Sequence, residues 1–458
     1  MTVGDPPDSP GLEAPRPTDI DGGRRLVLFL PGHDPTDMDY HHGRFANQAG
    51  RFAALWSCRA EVSALRHEPD LPVSLWGARS EGPNWRQATD FALLRWDDIV
   101  VALDKRLAVT RLWRGLAALL EFARNGTSRR YFKATLRYGI FCLFPVGILM
   151  LFLLGGLLAG LAAGLGTSFL VTPGQAGHLP LLVGLSVGLL VFLGLFHQPG
   201  RRWRLHQALD DWDLARDYLH GRAPVMDERL ARFAEYLVER VRNGGYDEVI
   251  LVGHSLGATL ALRVLVLAFA RDPELGRRGT RLNLLTCGAT IPKFSLHPDA
   301  AAVRADAEQI AQRPDLFWTE YQARHDAINF YKYHPVKLRR AEFDTAEYGQ
   351  PILKNANLKQ MISREKLRAL RWHIMRLHYQ SLLANEMKAP YDFFMIALGP
   401  VPFAELCASR NGPISLFADD GSMLLREDAT PTEPADTANR SDLNDPAGLQ
   451  QDAQEDAS

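Results

Sequence analysis

A mostly parallel α/β sheet covered by helices and interrupted by a two-helix transmembrane hairpin is the fold class this sequence predicts. Three observations carry it. Strand-like apolar runs alternate with helical patterns on both sides of residues 138–198. That stretch holds no Asp, Glu, Lys or Arg. After it, "DEVILVGHSLGATLALRVL" reads as a buried strand, a tight turn and a helix.

Residues 1–24 are rich in Pro, Gly and Asp and have no apolar core of the signal-peptide kind, so a disordered leader is expected there. Residues 25–102 form the first part of the α/β domain. "RRLVLFLPGHD" is a buried strand ending in Pro-Gly; Phe45, Phe52, Leu55 and Trp56 mark a helix, and "AEVSAL" and "VSLW" follow as strands. Residues 103–137 place Leu103, Leu107, Leu112, Leu116, Leu119 and Leu120 among Lys105, Arg106, Arg111 and Arg114. This basic amphipathic pattern suits a helix lying on anionic lipid, and equally a helix packed on the soluble domain.

The hairpin is predicted over 138–198. "GIFCLFPVGILMLFLLGGLLAGLAAGLGTSFLV" and "HLPLLVGLSVGLLVFLGLF" each exceed what about 30 Å of hydrocarbon requires at about 1.5 Å per residue. "TPGQAG" is the turn between them. Arg124, Arg129, Arg130, Lys133 and Arg137 precede the first span, and Arg201, Arg202 and Arg204 follow the second. By the positive-inside rule both ends face the cytoplasm, which predicts a multi-pass inner-membrane protein. Gly156, Gly160 and Gly164, with Gly184 and Gly188, recur every four residues. They permit close helix packing within the hairpin or in a homo-oligomer. Two spans return the chain to its starting side, so strands before and after them can share one sheet.

A juxtamembrane helix is expected over 199–225, and the second part of the α/β domain over 226–418. In that part a charged helix (Met226–Arg242) leads to the strand around Val249–Val252, and "RLNLLTCGAT", "LFWTEYQAR" and "PILKNANLKQMI" supply later strands. A long amphipathic helix is predicted over about Glu365–Asn385. Residues 419–458 are acidic and poor in aromatics and read as a disordered tail.

Composition narrows the partners. A net charge of −1 over 458 residues gives no basis for nucleic-acid binding. Cys58, Cys142, Cys287 and Cys407 show neither disulfide nor metal spacing, so no cofactor or metal is expected. Asp37, Asp39, His41 and His42 cluster near the first helix, but adjacent histidines project in different directions from it.

The turn in "GHSLG" carries the chemistry. Gly253 and Gly257 allow a sharp strand-to-helix corner that holds the Ser255 hydroxyl outward at a helix N-terminus. With its strand and helix, and with the "LFLPGH" strand end, this motif resembles the α/β-hydrolase superfamily of lipase- and esterase-like serine hydrolases. The resemblance covers about Leu26 to Pro402, with 103–220 as an insertion. It implies cleavage of an acyl ester by serine, acid and histidine in that chain order.

Asp326, just after the "LFWTEYQAR" strand, is the expected acid, with Asp299 as alternative. His378 is the expected base, with His373 as alternative, because only these histidines follow the last strand. Both stand within a predicted helix, whereas the resemblance implies a loop. The backbone N–H groups of Leu256 and His33 are the expected oxyanion hole. The substrate is then an acyl ester, lipid-like in view of the anchor. A non-catalytic membrane scaffold and an acyltransferase using the same serine are the competing readings.

Overall fold

The computed structural model describes residues 20–34, 36, 38–171 and 177–424. Eleven strands occur among them: β1 (Ile20–Leu30), β2 (Arg59–Val62), β3 (Arg66–His67), β4 (Val73–Glu81), β5 (Trp85–Leu94), β6 (Glu248–His254), β7 (Arg281–Cys287), β8 (Leu316–Gln322), β9 (Tyr333–His334), β10 (Arg339–Arg340) and β11 (Ile352–Asn355). Nine make one sheet in the order β11-β8-β7-β6-β1-β5-β4-β2, with β3 beside β4. Pairing is parallel from β11 through β5 and antiparallel beyond. The molecule is mixed α/β with a mostly parallel sheet. β9 and β10 form a separate two-stranded ribbon.

β1 begins at Ile20, so residues 20–24 belong to the sheet rather than to a disordered leader. Residues 1–19 and most of the expected acidic tail and interhelical turn lie outside the described residues. At the other end, 419–424 fold back: Asn84 donates to the Met423 carbonyl at 2.9 Å.

Alternation along β1 and β6 supplies two cores. Leu26, Leu28, Leu30, Val249 and Leu251 face the helices Pro224–Asn243 and Leu256–Arg271. Val27, Phe29, Ile250 and Val252 face the helices Met38–Leu55 and Phe393–Leu398. Period 2 sends successive side chains to opposite faces, which is why a central strand reads as uninterrupted apolar sequence. β5 was not anticipated. Its buried Trp85, Gln87, Thr89 and Phe91 alternate with exposed Arg86 and Ala88, and its polar members mask the pattern.

Between β5 and β6 lies the insertion. Two helices, Phe144–Leu170 and Leu179–Arg202, are long and apolar enough to span a membrane, and the first continues a short helix at Leu136–Cys142. Most of their leucines are exposed, unlike those of a soluble core helix. They run antiparallel, since Gly156 opposes Gly188 and Gly160 opposes Gly184. A Cβ on Gly160 would come within 2.6 Å of the Gly184 carbonyl, so the glycines pack the two helices on each other.

The helix Ala108–Arg124 buries Gly115 against Leu209 of the insertion and Ala118 and Phe122 in the core shared with the sheet, while Val109, Trp113, Leu116 and Leu120 remain exposed. Of the two readings of this segment, packing is met on one face. Arg111, 4% exposed, pairs there with Asp210 of the helix Leu205–Leu219 at 2.8 Å. The strands on either side of the insertion do share a sheet: Arg25 of β1 lies opposite Glu248 of β6, joined by a 2.7 Å buried ion pair.

Candidate functional site

Ser255 stands between β6 and the helix Leu256–Arg271 with φ 56° and ψ −125°. A non-glycine residue is strained there, and such strain persists only where the surroundings over-determine it. They do: a Cβ on Gly257 would lie 2.1 Å from the Leu30 carbonyl, so the helix start is pressed against the end of β1. The Ser255 N–H donates to the Cys287 carbonyl at 3.3 Å, and its own carbonyl accepts from Ala258 and Thr290.

The loop after β1 closes on the same corner. A Cβ on Gly32 would sit 2.7 Å from Ser255 Cβ and 3.2 Å from its Oγ. Trp96 fixes this loop by donating to the Pro31 carbonyl at 3.0 Å, and the His33 ring meets Trp96 edge-on at 6.1 Å. Burial lowers the His33 pKa, with the Asp211 and Asp34 charges opposing, so a neutral imidazole is favoured. Leu256 is the first residue of its helix, where N–H groups lack intrahelical acceptors. Gly32, next to His33, and Leu256 thus adjoin Ser255 from the two sides.

Asp326 and His378, 52 residues apart, are brought into contact. His378 Nδ1 lies 2.7 Å from Asp326 Oδ2, and both side chains are 2% exposed. Asp326 Oδ1 also accepts from the Ile328 N–H at 2.9 Å. Burial would raise the Asp326 pKa, but the adjacent His378 and these hydrogen bonds outweigh it and hold the carboxyl below its usual range. His378 Nε2 is buried and has no hydrogen-bond partner among the described residues, Ser255 included. A Cβ on Gly288, one residue beyond the carbonyl that holds Ser255, would touch His378 Cε1 at 3.0 Å.

The alternatives lie apart from this pair. His373 is exposed. Asp299 is exposed beside His297.

The long helix expected over Glu365–Asn385 is a correction: the chain forms helices at Arg364–Leu370 and Ile374–Tyr379 and a 3₁₀ turn at Gln380–Leu382. His373 breaks the run with φ −100° and ψ 68°. The break redirects the chain so that Leu377 and His378 turn inward.

Sequence reasoning missed three neighbours. His254, the residue before the serine, has its ring 4.5 Å from that of His378, and burial holds its pKa down at about 3. Tyr379 donates to Asp34 at 2.5 Å and joins the histidine segment to the loop after β1. Lys293, 3% exposed, pairs with Asp211 of the insertion at 2.5 Å and lies 4.7 Å above the Trp212 ring. Only His254 carried a sequence signal, as the second residue of "GHSLG".

The insertion reaches this end of the sheet. Tyr131 donates to the Lys293 carbonyl at 2.5 Å, Tyr138 packs on Phe330 at 4.0 Å, and Arg137 donates to the Arg324 carbonyl, two residues before Asp326. Among known protein families, curated proteins and solved structures, no match to this chain was found.

Proposed function

We propose that this chain is a membrane-anchored serine hydrolase of the α/β-hydrolase kind, cleaving an acyl ester through Ser255, His378 and Asp326. The observation that carries the reading is the convergence of a strained serine at a strand-to-helix corner with a buried, remotely assembled His–Asp pair. Serine is a poor nucleophile at neutral pH and needs a base that a third group orients. Asp326 on Nδ1 leaves Nε2 as the nitrogen available for Ser255, and a side-chain rotation closes the remaining gap when substrate binds.

In this scheme Nε2 takes the hydroxyl proton as Oγ bonds the ester carbon. The N–H groups of Leu256 and His33 receive the negative charge on the carbonyl oxygen. Collapse of the intermediate breaks the ester C–O bond, and the His378 proton leaves with the alcohol. Water, deprotonated by His378, then releases the acid and restores Ser255.

One contact favours a lipid-like ester presented at the membrane surface. Arg137, at the start of the first long apolar segment, donates to the Arg324 carbonyl beside the Asp326 loop. One end of the hairpin therefore adjoins the site, and its basic flanks favour the cytoplasmic side.

Labelling with a fluorophosphonate probe tests the reading: wild type labels and Ser255→Ala does not. Equal labelling of both proteins overturns Ser255 as the nucleophile, and labelling of neither favours a scaffold.

A further inference from the structure

A second cluster lies where both flanks of the hairpin meet the sheet body. Glu121 belongs to the helix Ala108–Arg124, His220 caps the C-terminus of Leu205–Leu219, and Asp299 lies in the loop leading to the helix Ala301–Ala311. One ligand atom from each falls within 4.8 Å of the other two. Glu121 Oε1 is 2.6 Å from His220 Nε2. Behind them His297, wholly buried, has Nε2 3.6 Å from the same Glu121 oxygen and Nδ1 4.0 Å from Asp299 Oδ2.

We propose that Glu121, His220 and Asp299 form a binding site for a divalent transition metal of the zinc class. An ordinary Glu–His pair accounts for two of these side chains but not for the second carboxylate. Two carboxylates turned toward one imidazole edge repel each other, and a cation between them converts that repulsion into attraction. One nitrogen and two oxygens suit zinc, whereas an imidazole disfavours calcium or magnesium. Zinc bonds of roughly 2.1 Å set tetrahedral ligands roughly 3.4 Å apart. That value lies between the 2.6 Å and 4.8 Å found here, so side-chain rotation alone brings the three into place. Asp299 is exposed, which leaves a further position open to water. Behind them the buried His297 meets the Asn125 amide through Nε2 at 2.5 Å and accepts the Asp299 N–H at Nδ1 at 3.2 Å, which fixes the loop that carries Asp299.

The three ligands come from the segment before the hairpin, the segment after it and the sheet body. The metal would therefore lock the insertion to the domain, and this conclusion does not depend on the hydrolase reading. The sequence hid the site because Glu121 and His220 are 99 residues apart.

The test uses the full chain in detergent, stripped with a chelator and titrated calorimetrically with zinc chloride alone. Wild type should bind one ion per chain and gain melting temperature, while calcium gives neither effect. Asp299→Asn and His220→Gln should each weaken zinc binding at least tenfold. Asn at the exposed position 299 preserves shape, so that variant stays folded. Cobalt provides a second readout, as its visible bands should change in Asp299→Asn. No binding by wild type, or wild-type affinity in both variants, overturns the site.

Discussion

Ser255 and His378 arrive at the same end of the sheet by different means. Ser255 is placed by its immediate neighbours: β6 before it, a helix after it, and Gly257 pressed on the Leu30 carbonyl. His378 is placed by remote packing. It rides on a helix of only six residues, tethered through Asp326 and through Tyr379, which reaches back to Asp34. The difference teaches that a strained corner serine can be encoded locally, whereas the histidine proposed as its base depends on loops that the whole fold must bring together.

The largest effects should come from breaking either half. If the three residues act as one unit, Ser255→Ala and His378→Ala each lower kcat/KM for a chromogenic ester by several orders of magnitude. The double variant should lose little more. Asp326→Asn should hurt less than either, because it removes orientation and charge but not the proton acceptor. His373→Ala should leave the rate within about twofold of wild type, as expected for an exposed surface change. A collapse of activity in that variant would move the base away from His378.

The same contrast explains what the sequence made legible. The elbow needed only contiguous information, since the apolar strand, the small residues and the helical periodicity all lie within "DEVILVGHSLGATLALRVL". The hairpin was legible because an uncharged run is itself a physical statement about solvent. The pairing of Asp326 with His378 was a guess about chain order until the fold put them 2.7 Å apart. The surrounding helix was misread because Leu367, Leu370, Leu377 and Leu382 keep an apolar rhythm across a break that has no glycine or proline. β5 was missed for a related reason: its buried face includes Gln87 and Thr89, which donate to the Gly23 and Ala397 carbonyls rather than being excluded from the core.

A buried acid beneath the Asp326 loop sharpens the distinction between placement and chemistry. Glu320 on β8 is 1% exposed, and burial pushes its pKa up to about 7, against the opposing hydrogen bonds from Gln322 and Thr286. The folded state thus prefers the protonated form. Its stability contribution is fully present below the unfolded value of about 4.3 and is lost as pH rises toward about 7. Glu320→Gln removes this loss, so it should stabilise the protein at pH 8 by up to about 3 kcal/mol and do little at pH 4. Melting curves at the two pH values check this. Equal shifts at both would show that the residue acts through packing alone.

A smaller effect isolates the tether on the histidine side. Tyr379 is largely buried, and its hydroxyl reaches Asp34 at 2.5 Å, while Asp34 is held below the usual carboxylate range by its hydrogen bonds with Thr36 and Tyr379 against the upward push of burial. Tyr379→Phe keeps the ring, which lies 5.0 Å from that of His254 and beneath the Arg44 guanidinium, and deletes only the hydroxyl. Loss of a charge-assisted hydrogen bond should cost about 1.5 kcal/mol in stability. If the bond also positions His378, kcat should fall a few-fold while fluorophosphonate labelling of Ser255 slows in parallel. The Ser255 corner itself contains no part of this tether, so its backbone strain should persist. Unchanged kcat with the stability loss would make Tyr379 a packing residue, and the placement of His378 would then rest on Asp326 alone.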